Sequence, residues 1–170
     1  DAYCDIYGDM RNVYPERFSN LKVNCPTAIM VDRTCRIGKE ADFYTLTIEE
    51  GGSLRVEGSA SSTYLDVRGG SLLVDGDLRV SLVYMDSDAS LVSVSGNLLA
   101  ERSSYASRQM EAGTFEVGGD VHLEGGYWFG AVGACRVVLC GDGPQAVDGY
   151  GNLGNTINAH AIEKEASIPE

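Results

Sequence analysis

A short strand followed by a glycine returns along this chain at nearly constant distance, and few folds accommodate such a rhythm. The pattern is apolar, any, apolar, any, glycine, often with Asp or Asn next and another apolar residue after it. It reads Leu72–Leu73–Val74–Asp75–Gly76–Asp77–Leu78, then Val92–Ser93–Val94–Ser95–Gly96–Asn97–Leu98. It returns as Phe115–Glu116–Val117–Gly118–Gly119–Asp120–Val121 and as Val137–Val138–Leu139–Cys140–Gly141–Asp142, with looser copies at Leu54–Val56–Gly58 and Leu65–Val67–Gly69. Gly76, Gly96, Gly119 and Gly141 are separated by 20, 23 and 22 residues. Alternation of apolar and polar residues means a strand with one buried face. The glycine, with Asp or Asn after it, lets the chain turn through backbone angles that other residues resist. One strand and turn every ~20–23 residues predicts a coil wound from short strands; a β-sandwich also alternates but needs no fixed period. The expected fold is therefore all-β: a right-handed parallel β-solenoid, or β-helix, of about six coils with irregular caps. Its decisive geometric expectation is that Val74, Val94, Val117 and Leu139 lie one above another.

The chain reads as one domain over 1–170, with divergent N-terminal coils or a cap over 1–40, regular coils over 41–149, and a C-terminal cap or linker over 150–170. Within the divergent part, Leu21–Lys22–Val23, Ala28–Ile29–Met30–Val31 and Cys35–Arg36–Ile37 read as short strands. Asn158 to Ala166 is the best helical candidate, or an irregular cap. Terminal coils are expected to be atypical because an open end must be covered. Tyr44, Tyr64, Tyr84, Tyr105, Tyr127 and Tyr150 are spaced by 20, 20, 21, 22 and 23 residues. Coils about 4.8 Å apart would stack them into a ladder. Tyr44 shares the parity of Leu46 and Ile48 while Tyr64 opposes that of Leu65 and Val67, so the ladder is expected to be imperfect.

The net charge is −12, from 25 acidic and 13 basic residues. That balance argues against nucleic acid, whose phosphates need lysine and arginine, and against an anionic membrane surface. No apolar run approaches the roughly 18 residues that a membrane-spanning helix needs, so no membrane insertion is expected. No signal-peptide pattern is read at the start of these residues, and Asp1 reads as the start of a mature or excised fragment. A chain of 170 residues buries roughly 70% of its unfolded surface, and 44% hydrophobic residues suits an ordered core.

The residues from Leu54 to Val147 resemble glycine-rich β-solenoid repeat modules of large secreted and surface proteins of Gram-positive bacteria. A run of the type L-x-V-x-G-G-x-L-x-V-x-G-D is matched from Leu65 to Asp77. A segment like A-G-T-L-E-V-x-G-D is matched from Ala112 to Asp120. A closing segment like K-V-x-L-S-G-x-G-x-Q-x-V is matched from Arg136 to Val147, with Cys140 where a serine is usual. The resemblance implies a β-solenoid at a bacterial surface or secreted, and supplies no catalytic residues.

The five cysteines include no CxxC pair, and His122 and His160 are distant, so no metal site and no cofactor are expected. Cys4 and Cys25 lie 21 residues apart, one coil by the repeat spacing, and stacked coils bring Cα atoms within disulfide range; Cys25–Cys35 is the competing pair. Cys135 and Cys140 differ by an odd number on one strand and should face opposite ways. Asp86, Asp88, Glu111, Glu116, Asp120 and Glu124 offer carboxylates, but acid–base catalysis needs two groups within hydrogen-bond reach. Glu116 and Asp66 read instead as outward members of alternating strands. Asp86–Ser87–Asp88 lacks the loop of a calcium site and reads as a turn. His122, between Val121 and Leu123, should point outward. No GxSxG elbow, P-loop or dinucleotide fingerprint occurs, so no catalytic residue is assigned.

Binding is expected at aromatics. Tyr127–Trp128–Phe129 cannot all point inward on a strand, and Trp128 with Tyr127 is a candidate sugar platform or an edge plug. Ala100 to Met110, polar and carrying Arg102, Tyr105 and Arg108, is the expected protruding loop, and Tyr105 is the third candidate binding residue. The function expected is an extracellular structural or adhesive module, not an enzyme, meeting a glycan or a host or cell-surface protein. Solenoid ends and edges also offer a route to a homo-oligomer. The alternatives are a carbohydrate-binding module using exposed aromatics and a small polysaccharide-degrading β-helix enzyme.

Overall fold

The computed structural model describes residues 34–101, 110–124 and 133–149, together with Val31 and the backbone of 3–6, 20–23 and 28–30. Every regular element in these residues is a strand, and every pairing between strands is parallel. The strands are β1 (Tyr3–Ile6), β2 (Asn20–Val23), β3 (Ala28–Val31), β4 (Thr34–Ile37), β5 (Ala41–Ile48), β6 (Ser53–Val56), β7 (Ala60–Val67) and β8 (Ser71–Val74). They continue as β9 (Leu78–Met85), β10 (Leu91–Val94), β11 (Leu98–Ala100), β12 (Thr114–Val117), β13 (Val121–Leu123), β14 (Arg136–Leu139) and β15 (Val147–Gly149). Apart from β1 and β2, strands do not pair with their sequence neighbours; each pairs with its counterpart one coil away, giving a parallel β-solenoid of about 5 turns.

Three faces enclose the core. The first is the six-stranded sheet β4, β6, β8, β10, β12 and β14. The second runs β1, β2, the opening residues of β5, β7 and β9, then β11, β13 and β15. The third consists of β3 and the closing residues of β5, β7 and β9, followed by Met110, which bridges to Met85. The eight-residue strands turn a corner in their middle. Phe43 pairs with Ser62 and Thr45 with Tyr64, but Tyr44 is skipped, and the next coil skips Thr63 in the same way. Burial changes phase there: Ala41 and Phe43 point inward, then Leu46 and Ile48 do.

The expected column is present. Val74 pairs with Val94, Val94 with Val117, and Val117 with Leu139. Beside it runs Leu54–Leu72–Val92–Phe115–Val137. Leu54, Leu72, Val92 and Phe115 are each at most 1% exposed. The first face returns at Thr34, Ser53, Ser71, Leu91, Thr114 and Arg136, so coil length changes slightly from each turn to the next. The three short segments expected before residue 40 are β2, β3 and β4.

The repeating glycines do a different job from the one their sequence context suggests. Gly76, Gly96, Gly119 and Gly141 are absent from the positive-φ glycines. Their constraint is proximity: a Cβ on Gly96 would stand 2.7 Å from the carbonyl carbon of Gly76, and one on Gly119 equally close to that of Gly96. On Gly141 it would stand 2.2 Å from the Gly118 oxygen. Glycine here lets one backbone lie on the next. The Gly76 N–H donates to Gly58 O at 3.0 Å, Gly96 to Gly76 at 3.0 Å and Gly119 to Gly96 at 2.8 Å.

The polar residue after each glycine completes the turn. Ser59 Oγ accepts from the Asp77 N–H, Asp77 Oδ1 from Asn97 N–H, Asn97 Oδ1 from Asp120 N–H and Asp120 Oδ1 from Ala146 N–H, at 2.7 to 3.2 Å. In the last coil Gln145, buried, takes over: its Oε1 accepts from Gly141 N–H and its Nε2 donates to Val117 O and Gly119 O. Ser90, also buried, donates to Val67 O and accepts from Gly69 N–H. No buried side-chain polar atom among the described residues is left without a partner, as a low-dielectric interior demands.

The tyrosine spacing does not produce a ladder. Tyr64 lies opposite Thr45 and Leu82, and Tyr84 opposite Asp66. The first of these coils is one position shorter than the tyrosine spacing and the second two positions shorter, so each ring slips along its strand. Tyr105, Tyr127 and Tyr150 lie outside the described residues, as does the helical candidate 158–166.

Because proximity and not dihedral angle fixes the turn glycines, Gly96→Ala should lower stability by about 1–3 kcal/mol, the usual range for overpacking. Gly143, with open space at its Cβ position, should accept alanine within about 0.5 kcal/mol. Urea unfolding of the two variants measures the contrast. Phe115→Ala, emptying a fully buried site, should cost about 3–5 kcal/mol.

Candidate functional site

Among the described residues, outward side chains of the coils supply the exposed chemistry. On the first and second faces many of them tie one coil to the next. Arg36 bonds Glu57, Arg55 bonds Asp75 at 2.9 Å, and Arg79 bonds Glu101. Ser61 donates to Asp42, and Ser71 to Ser53 at 2.9 Å. These exposed contacts are individually weak, about 0–1 kcal/mol for ion pairs. Hydrogen bonding to Glu101 raises Arg79, and hydrogen bonding to Asp66 raises Arg68, keeping both guanidiniums charged.

The described carboxylates singled out by the sequence are placed as outward or turn residues. Glu116 points outward from β12, and Asp66 from β7, as alternation requires. Asp120 serves the turn of the next coil. Asp86–Ser87–Asp88 opens a turn in which Ser90 N–H donates to Ser87 O at 2.9 Å. Among the described residues no three His, Cys, Asp or Glu side chains converge on a metal position. A shallow groove of about 550 Å³ at the first turns is lined by Gly38, Lys39, Glu40, Glu57, Gly58 and Ser59. Neither histidine nor cysteine is among these lining residues.

His122 is exposed on β13, as its neighbours predict. Its Nδ1 meets Asp148 on β15, and its Nε2 lies 3.8 Å from Glu124. An imidazole oriented by a carboxylate is one half of a nucleophile-activating arrangement. The other half, a hydroxyl or thiol against Nε2, is absent among the described residues, where Glu124 occupies that side.

Tyr105, Tyr127 and Trp128 lie outside the described residues, and so does Cys25. On the backbone, Cys4 sits opposite Leu21, so the first coil is shorter than the spacing that suggested the Cys4–Cys25 pair. Cys25 comes four positions after Leu21 in the chain. Cys35 is buried on β4. The register places ten positions between Ala100 and Met110 where the preceding coil has five between Val80 and Met85.

Aromatics on the third face were not singled out for binding by sequence reasoning. Tyr44 is the one exposed large hydrophobic among the described residues, at 39%. Its ring meets that of Tyr64 edge-on, centroids 5.4 Å apart. Tyr64 and Tyr84 are half-buried and point outward, since Leu65, Val67, Val83 and Met85 fill the interior. Their alternation with buried neighbours was the available signal; the ladder expectation obscured it.

Cys135 and Cys140 are free thiols, one buried and one exposed, and do not bond to each other. Burial pushes the Cys135 thiol up to about 11, leaving little thiolate near neutrality. In the folded protein at pH 8, the exposed Cys140 should be labelled first by a disulfide reagent, and the buried Cys135 at least tenfold more slowly until denaturant is added. Mass spectrometry of the labelled peptides separates the two.

The chain matches no protein-family model, and no curated protein or solved structure shows significant similarity to it.

Proposed function

We propose that this chain is a rigid extracellular module, structural or adhesive, of a bacterial surface protein, and that it performs no catalysis. The observation that carries this reading is the deployment of its polar surface. Charged and amide side chains at the turns, and arginines on the faces, bind the coil above or below, each joining positions about 20 residues apart. Such a surface resists shear between coils. Among the described residues, His122 faces carboxylates on both ring nitrogens, Asp148 and Glu124. The resemblance to glycine-rich repeat modules of Gram-positive surface proteins points the same way, because those modules are built into large secreted chains. The acidic surface, net −12, suits a glycan or protein partner and disfavours nucleic acid.

The reading predicts mechanical behaviour. Pulled from its two ends, the molecule should release in steps of about one coil, ~70 Å of chain for ~20 residues. Incubation with acidic and neutral polysaccharides should yield no new reducing ends or unsaturated products. A single collapse at low force, or product from any of these polymers, rejects the module reading.

A further inference from the structure

Tyr44, Tyr64 and Tyr84 run diagonally across the exterior of the third face. Tyr44 stands at the corner, Tyr64 one position further on in the next coil, and Tyr84 three positions further on in the coil after that. With about 4.8 Å between coils and about 3.3 Å per residue, the row spans about 14 Å between its end Cα atoms. The rings sit on a sheet whose backbone groups are already engaged in the coil-to-coil ladder. An extended peptide laid across it would find no main-chain partners, which it would find at a strand edge. A ligand with flat, apolar ring faces and polar edges suits it better, because tyrosine offers an apolar face with a hydroxyl at its rim.

Charge narrows the ligand further. Arg68 donates to Asp66 and lies 3.4 Å from Glu49. Asp86, exposed two positions beyond Tyr84, acts on the same guanidinium. One cation among three carboxylates leaves this end of the row negative. Aromatic faces beside uncompensated carboxylates attract ammonium groups by cation–π and Coulomb terms together.

We propose that the Tyr44–Tyr64–Tyr84 row docks an amino-sugar chain, an extended glycan of β-linked rings carrying free ammonium groups. This deepens the adhesive half of the reading above and rests on it, by naming the ligand class and the face that takes it. Sugar-ring faces lie against Tyr44 and Tyr84, with Tyr64 meeting Tyr44 edge to face between them, and the ammonium groups lie toward Asp86.

Calorimetric titration of the whole chain with a β-1,4-linked glucosamine hexamer at pH 6 and low salt tests the assignment. Binding should be measurable, should weaken as salt is raised, and should fall about tenfold in Tyr44→Ala and in Tyr84→Ala. Tyr44 lies at the surface, so its variant should remain folded at the assay temperature. Asp86→Asn should weaken the hexamer without disturbing the fold. No heat of binding with the wild type overturns the proposal. Undiminished binding in a folded Tyr44→Ala also overturns it, because attraction to a net −12 chain would then suffice. Equal affinity for the fully N-acetylated hexamer removes the ammonium requirement and overturns it as well. Polylysine binding that depends equally on Tyr44 overturns it by reassigning the row to basic peptides. None of these outcomes touches the pulling experiment, so the module reading stands or falls separately.

Discussion

Backbone resting on backbone at the turns between the first and second faces governs the rest of this structure. Where Gly96 lies on Gly76, and Gly119 on Gly96, an N–H reaches the carbonyl beneath, and the space a Cβ would need is taken by that backbone and by the Asp77 or Asn97 side-chain oxygen. That contact holds successive coils at sheet spacing on both flanking faces. Leu and Val columns close inside, and Asp77, Asn97 and Asp120 fall within reach of the next coil's N–H groups. A wider turn would tilt the coils apart and strand those donors, which is costly wherever water is excluded.

Packing and electrostatics follow from the same geometry. Inward columns contain mostly aliphatic residues of unequal size, with Phe43 registered to Ser62 and Phe115 to Val92 and Val137, so bulk in one coil is met by smaller groups in its neighbours. Parallel coils bring residues one turn apart within side-chain reach, which is why opposite charges at that separation become partners. Each pair is weak, but distributed along the stack the pairs oppose sliding of coil against coil. Solenoid stability is of this nearest-neighbour kind, a sum of repeats and interfaces.

The architecture was legible because two signals coincided: alternation ending in glycine, and a near-constant return distance. Val74, Val94, Val117 and Leu139 stack as their spacing implies. Less was legible at the glycines themselves. Their place in the repeat was evident, but a turn followed by Asp suggested special dihedral angles, whereas Gly96 needs room beneath the next coil's backbone. The tyrosines misled for a related reason. Their spacing resembles the average coil, but the coil that joins Tyr44 to Tyr64 is a position too short, and the one after it two positions too short. A one-residue difference turns a column into a diagonal. The corner inside β5 was hidden too, because a change of burial phase between Phe43 and Leu46 leaves no glycine or proline to mark it. The candidate binding residues Tyr127 and Trp128 rested on a run of three aromatics, and Tyr105 on a polar segment expected to protrude; all three lie outside the described residues. The third-face row was invisible until register was known.

Register also separates what the stack must keep from what it can vary. Ala100 pairs with Val80 and Met110 with Met85, so the five surplus residues between them leave both anchors in place. Register is thus held at the paired anchors, whatever number of residues the chain carries between them. A lineage built on such a plan can lengthen one corner and display new residues there, while its descendants inherit an unaltered interior.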